Sequence, residues 1–294
     1  MTSFAKAAFD SAAYLACRPR YSKELVKQIL DYGHFTPSTK SGRTAVDLGC
    51  GPGQLTAQLA STNAFEHVYG LDPSAKMLSR GMQADPPAPR ISYRQSSAER
   101  LECLADSSVD LLTASQAAHW FDHSKVWPEL LRVLKPGGLV AYLNYGECEV
   151  PTHPEVSRII GRHSHVTLAP HWQQPGRDIA ENLLDEIAFP GTQGWDKSSF
   201  ERRKFDRGNI TATLSDVAAP PPTTHHPIAF KLDWTIDQLT GYLRTWSAAH
   251  NYDEAHGGDV VDQVARELQT LLPASPETFE IVWPGITLFA RKAR

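Results

Sequence analysis

Thr44-Ala45-Val46-Asp47-Leu48-Gly49-Cys50-Gly51-Pro52-Gly53 decides how this chain is read. A short apolar strand ends in a carboxylate and then turns through three glycines at alternate positions. The helix-compatible run Gln54-Leu55-Thr56-Ala57-Gln58-Leu59-Ala60 follows. Glycine lets the backbone bend sharply and approach a ligand with no Cβ in the way. The helix behind the turn points free N–H groups at that ligand. A turn of this kind binds a nucleotide-like molecule at the carboxyl end of a sheet strand.

The flanking residues narrow the ligand. A dinucleotide fingerprint requires G-x-G-x-x-G, but Gln54 stands where the third glycine would be. Asp47 lies two residues before the first glycine. A carboxylate there repels a pyrophosphate and attracts an ammonium or sulfonium. His67-Val68-Tyr69-Gly70-Leu71-Asp72 reads as a second strand ending in an acid. Asp72 follows the turn by about 20 residues, the spacing of a ribose-hydroxyl acceptor in a βαβ unit. A ligand with a ribose, a cationic amino-acid end and no phosphate satisfies both acids. S-adenosylmethionine is that ligand.

The 294 residues suffice for one large domain, or one domain with a substantial insertion, and 41% hydrophobic content supports an ordinary core. A net charge of −4 disfavours capture of nucleic acid or of an anionic membrane. No apolar run reaches the length of a membrane span, and Met1 to Asp10 lacks the apolar core of a secretory signal. Cys17, Cys50, Cys103 and Cys148 are scattered without C-x-x-C spacing. That predicts no metal site and reduced thiols in the cytoplasm.

The first half alternates short apolar runs with amphipathic segments, the pattern of a parallel sheet covered on both faces. Strands are expected at 44–48, 67–71, 90–95, 109–115 and 139–144, with helices at 22–31, 54–60, from Asp72 onward, and 126–133. Leu134-Lys135-Pro136-Gly137-Gly138 closes the last of these helices. From Pro151 to about Thr224 the chain mixes prolines, histidines and aromatics with few clean strands. Ala219-Pro220-Pro221-Pro222-Thr223-Thr224 reads as a stiff connector. Glu201-Arg202-Arg203-Lys204 reads as a solvated charged patch. A late strand is expected at 228–234, helices at 236–249 and 259–272, and strand material at 279–283 and 286–290.

With those residues in hand, the chain resembles a class I S-adenosylmethionine-dependent methyltransferase with a type 11 methyltransferase domain. Ala118-His119-Trp120-Phe121-Asp122, Trp172-Gln173-Gln174-Pro175-Gly176-Arg177 and Tyr242-Leu243-Arg244-Thr245-Trp246-Ser247-Ala248-Ala249-His250, together with Tyr14, Arg18, Pro19 and Tyr21, are similar to the fungal trans-aconitate methyltransferase subfamily. The stretch from Phe205 to Thr224 departs from that pattern. The resemblance implies an α/β, Rossmann-like doubly wound sheet, mostly parallel with an antiparallel last strand, plus a mainly helical substrate lid. It implies a single domain over 1–294. Residues 1–33 would cover the cofactor, 40–150 form the core, 151–272 the lid, and 278–291 a C-terminal strand closing the sheet.

By the same resemblance, Asp47 faces the amino-acid end of the cofactor and Asp72 accepts from the ribose hydroxyls. Gly49, Gly51 and Gly53 bring backbone close, and Met77 packs on the adenine. Ser97, Ala98 and Glu99 lie near the adenine amino group. Gln116 and Trp120 stand beside the methyl-transfer centre, and Tyr14, Arg18 and Tyr21 cover the cofactor, with Arg18 a candidate for its carboxylate. His119, Trp120, Trp172, Gln173, Arg177, Trp246 and His250 would contact the substrate. Each has a structural alternative: a helix cap for Asp47 or Ser97, a core aromatic for Trp120, a satisfied histidine for His119, a salt bridge for Arg177.

A carboxylate acceptor is ionised at neutral pH and needs no base. A hydroxyl acceptor needs one, and His119 or His250 is then the candidate catalytic base. The expected activity is methyl transfer to a small-molecule oxygen, foremost a carboxylate. A hydroxyl or carbon of a fungal-type secondary metabolite, a non-catalytic cofactor-binding regulator and an NAD-dependent oxidoreductase stand as alternatives. A small molecule is the expected partner, with no nucleic acid, membrane or obligate protein partner.

Overall fold

The computed structural model describes residues 11–37, 42–83, 90–191, 193–205, 223–226 and 230–294. Met1 to Asp10 and most of the Ala219–Thr224 connector lie outside them. The glycine turn follows β1 (Thr44–Leu48) and leads into α3 (Gln54–Ser61). Beside β1 run β2 (His67–Asp72), β3 (Ile91–Gln95), β4 (Val109–Ser115) and the longer β5 (Leu134–Tyr145), all parallel. Ahead of them come α1 (Ser11–Cys17) and α2 (Lys23–Gly33), and between them α4 (Ala75–Met82) and α5 (His123–Val133).

Caps explain where these helices start. Ser22 accepts from the Leu25 N–H, Ser74 from Met77 and Asp122 from Ser124, each satisfying a donor that the helix leaves open. Alternation along β5 sends Leu139, Ala141, Leu143 and Tyr145 to one face of the sheet and Val140 and Tyr142 to the other.

The full sheet has eight strands in the order β3-β2-β1-β4-β5-β10-β6-β7. β6 is Trp195–Phe205, β7 Thr223–His226 and β10 Gly285–Lys292. β10 alone is antiparallel to its neighbours. It is the last strand of the chain, as expected. It lies wedged between β5 and β6, and Ile286 to Ala290 are fully buried on both faces. A continuous apolar run suits an interior strand. The expected 278–291 strand is two strands. β9 (Phe279–Trp283) pairs with β8 (Phe230–Trp234) in a separate ribbon, and Pro284 separates it from β10, since proline cannot donate to a ladder.

Three further expectations need correction. The 151–272 stretch is not lid alone, because β6 within it belongs to the main sheet. The Glu201–Lys204 run is part of that strand, and Arg202 is only 2% exposed. Its guanidinium donates to the carbonyls of Leu184 and Ile187. Those carbonyls offset the desolvation of a buried cation. The helix expected over 236–249 is two helices, α8 (Ile236–Arg244) and α9 (Ser247–His256). Around them lie α6 (Pro154–Arg162), α7 (Gly176–Glu181) and α10 (Val261–Gln269).

Gly49, Gly51 and Gly53 all adopt positive φ, at 61°, 55° and 87°. A Cβ on Gly53 would stand 2.1 Å from the Tyr93 hydroxyl, and the same ring fills the space beside Gly70 and Gly81. Left-handed backbone and lack of space act together there. Gly53→Ala is therefore expected to lose about 1–3 kcal/mol in urea unfolding. Adding Tyr93→Phe, which removes the nearest atom, should restore part of it; a double variant no better than Gly53→Ala would contradict the steric account.

Candidate functional site

Two cavities meet at the carboxyl ends of β1, β4 and β5. The larger, about 540 Å³, lies against the glycine turn. The smaller, about 70 Å³, lies beyond it toward α7, α8 and α9. Tyr14, Arg18, Gln116, Trp120 and Tyr145 line both, so these five side chains form the wall where the cavities join.

The glycine turn is held from below and from the side. Asp72, at the end of β2, accepts from the Gly51 N–H at 2.9 Å and the Ser74 N–H at 2.8 Å. It lines the larger cavity. Burial pushes its pKa above the ordinary carboxylate range, against the pull of the Ser74 and Gly51 N–H groups. Among the described residues nothing stands within 4 Å of where a Cβ on Gly51 would project. Backbone is thus presented to open space, as a close-lying ligand requires.

Asp47 is placed differently from expectation. It is fully buried, lines neither cavity, and accepts from the hydroxyls of Thr56 at 2.8 Å and Thr113 at 3.0 Å. The carboxylate ties β1, α3 and β4 together beneath the turn. Burial, only partly opposed by those hydroxyls, holds its pKa up at about 7. Gly53 also stays outside the cavity lining, packed on Tyr93.

The remaining expected residues of the turn side do converge. Tyr14, Arg18, Tyr21, Gly49, Gly51, Met77, Ser97, Ala98, Glu99, Gln116 and Trp120 all line the larger cavity. Glu99 also accepts from the Asp122 N–H at 3.1 Å, at the cap of α5. Gln116 sits at φ 51° just past β4, and its amide donates to the Tyr145 carbonyl at 2.8 Å. A left-handed non-glycine residue stores strain that its surroundings must hold. Sequence reading missed Cys50, Pro52, Ser115, Phe121 and Tyr145 on this lining. The first two were legible as members of the turn itself.

Arg18 stands between the cavities. It donates to the Thr245 carbonyl at 3.1 Å and, more weakly, to the Tyr145 hydroxyl at 3.4 Å. Its guanidinium lies 4.8 Å from the Tyr14 ring centre and 5.2 Å from that of Tyr242. Its Nε is shut off from solvent without a partner. Among the described residues no carboxylate pairs with it.

The smaller cavity is walled by His119, Trp120, Trp172, Gln173, Arg177 and Trp246, as expected, together with Tyr242, Glu147 and Glu181. His250 lines neither cavity. It lies one turn past Trp246 on α9, where the kink at Thr245–Trp246 turns Trp246 into the cavity instead. Burial, helped by the Arg18 and Arg177 charges and opposed by Asn144, draws the His119 pKa down to about 4. Arg177 is not waiting for an anion. It pairs with Glu147 at 3.1 Å and Glu181 at 2.9 Å and lies 4.0 Å from the Trp172 ring centre. Trp120 is fixed from behind by Gly176, where a Cβ would come within 2.6 Å of the indole.

Residues 46–142 match the profile of the methyltransferase domain family. Over 92% of its length this chain is 24% identical to a protein of Saccharomyces cerevisiae named "Probable S-adenosylmethionine-dependent methyltransferase", covering 90% of that protein. It is 39% identical over 111 residues to the trans-aconitate 2-methyltransferase of an Azoarcus species, a match spanning 37% of this chain and 42% of that one. A solved structure described as a "Putative Type II Methyltransferase" from Anaeromyxobacter dehalogenans superposes with a TM-score of 0.67 at 29% identity, covering 93% of this chain and 97% of that one.

The Asp47 geometry gives a pH test. Between the ordinary 3.8 and about 7, the folded chain keeps a proton on Asp47 that the unfolded chain has released. The stability this group contributes is therefore full at low pH and lost as pH rises through 7. Asp47→Asn should gain about 1–3 kcal/mol relative to the unsubstituted chain between pH 5 and pH 8 in denaturant titrations. A difference that stays constant over that range would contradict the burial account.

Proposed function

This chain is a class I S-adenosylmethionine-dependent methyltransferase, and we propose that it transfers the methyl to a carboxylate oxygen of a small molecule, forming a methyl ester. The cofactor supplies an electrophilic methyl on a cationic sulfonium. The larger cavity fits it: open backbone at Gly51, an acid at Asp72, and an Arg18 cation with no counter-anion among the described residues. Asp72 accepts from the ribose hydroxyls. Met77 and Ala98 pack on the base, with Ser97 and Glu99 nearby. Arg18 receives the amino-acid carboxylate, and Trp120 and Gln116 face the transferring methyl. Residues 11–33 and the helices after Pro151 enclose this site as cover and lid.

The observation that carries the acceptor assignment is the poor basicity of the smaller cavity. His119, with a pKa of about 4, is neutral near pH 7 yet binds a proton only weakly. A hydroxyl acceptor has a pKa near that of water, about 15.7, so His119 is badly mismatched to remove its proton. Burial alone would raise the Glu147 pKa, but His165, Ser164 and Arg177 outweigh it and keep that carboxyl below its ordinary value. A carboxylate is already ionised. What it needs is alignment and exclusion of water, and Trp120, Trp172, Trp246 and Tyr242 provide apolar walls for both. Neutral His119 is suited to orient the acceptor as a hydrogen-bond partner. The trans-aconitate relative supports the same acceptor chemistry.

The test is incubation with methyl-labelled cofactor and a panel of small acids and alcohols. Base-labile label in the acids is the expected result; stable ether label in an alcohol would overturn it. The single-turnover rate should stay flat from pH 6 to 8, with His119→Asn keeping that flat profile at reduced rate. A limb near pH 6.5 abolished by His119→Asn or His250→Asn would point to a hydroxyl acceptor. Arg18→Met should weaken S-adenosylhomocysteine binding at least tenfold by calorimetry, about 1.4 kcal/mol.

A further inference from the structure

We infer that the acceptor site is built to take acids carrying a single carboxylate and to reject di- and tricarboxylates. The inference rests on the carboxylate reading above and adds the charge class of the acid. Its basis is the cluster at the far wall of the smaller cavity. Glu147 and Glu181 both line that cavity, and their side chains are only 11% and 19% exposed. Their carboxylate oxygens lie within 4.8 Å of each other. Arg177 bridges them and is the single cation they share within the lining, so its charge is already spent on two acids.

The charges in the acceptor half then add simply. Arg177, with His165 3.4 Å from Glu147, offsets much of the charge of Glu147 and Glu181, which leaves the incoming sulfonium as the cation for the acceptor. Arg18 is engaged with the cofactor carboxylate. One acceptor carboxylate, aligned on the sulfonium, meets a nearly neutral surrounding. A second or third carboxylate has no cation left to pair with and must approach two glutamates in a site walled by Trp120, Trp172, Trp246 and Tyr242. Like charges at such separations repel strongly where water is excluded, and an unpaired buried charge is heavily penalised. Rejection by repulsion is as good a route to specificity as attraction to the right ligand. Trans-aconitate is a tricarboxylate, so this chain departs on this point from the relative named above.

Arg177 also predicts how the preference can be undone. Replacing a glutamate by glutamine removes one repulsive charge and frees part of a guanidinium that can grip a second carboxylate in bidentate fashion.

The experiment compares four acids of equal carbon number: hexanoate, adipate, tricarballylate and trans-aconitate. Base-labile ester formation gives kcat/KM, and calorimetry with S-adenosylhomocysteine present gives affinity without turnover. The unsubstituted enzyme is expected to favour hexanoate over tricarballylate at least tenfold in both readouts. Glu181→Gln and Glu147→Gln should each narrow that ratio at least fivefold, chiefly through better binding of the polycarboxylates. Tricarballylate or trans-aconitate preferred by the unsubstituted enzyme, with the order unchanged in the variants, would overturn this inference while leaving ester formation standing. Ester from none of the acids would overturn the carboxylate reading and this inference with it. Because the comparison within the unsubstituted enzyme is decisive alone, a variant that fails to fold does not remove the test.

Discussion

The site is organised around a cation enclosed by rings with, among the described residues, no anion beside it. Arg18 lies between the Tyr14 and Tyr242 rings and spends its donors on the Thr245 carbonyl and the Tyr145 hydroxyl. Holding a charge there without a counter-ion is unfavourable unless a ligand supplies one. The residues that hold it come from α1's end, β5, α8 and the α8–α9 kink. Ordering this one guanidinium therefore fixes how the amino-terminal helix and the late helices meet the sheet. It also sets the boundary between the two cavities, since Tyr14, Arg18 and Tyr145 line both.

The turn and the far wall complement that cation in different ways. At the turn, Asp72 is aimed by two backbone N–H groups and still faces the cavity. At the far wall, Arg177 is matched twice over by Glu147 and Glu181. Among the described residues one cation has no anion beside it and the other has two. This asymmetry gives the two cavities distinct chemistry although they share five side chains. Burial first, and then the nearby charges of both arginines, keep His119 neutral near pH 7.

Asp47 shows how a residue can matter to a site it does not line. Sequence reading placed it against the cofactor because it precedes the glycines. In the fold its oxygens are taken by Thr56 and Thr113. The acid joins two strands and a helix under the turn. The residues that donate to it, Thr56 and Thr113, come from separate elements, and no spacing rule connects them to Asp47.

Local chemistry written in the sequence determined the core. Three glycines that need left-handed backbone, apolar runs of strand length and serine or aspartate caps set β1 to β5 and their helices, and the strand positions agree to within a few residues. The same logic placed Asp72 on the cavity, at the carboxyl end of β2, whereas Met77, Ala98 and Trp120 were placed there by the resemblance. Tertiary structure alone decided the rest. β6 reads as a polar patch because Arg202 is buried only by virtue of the Leu184 and Ile187 carbonyls. β10 enters the middle of the sheet because two other strands present edges to it. The break between α8 and α9 follows from contacts with a residue far away in the chain, as Arg18 takes the Thr245 carbonyl and Trp246 turns inward. Pairing of a charge or an edge with a partner 15 to 227 residues distant leaves no periodicity behind, whereas turns and caps are satisfied within a few residues and can be read directly.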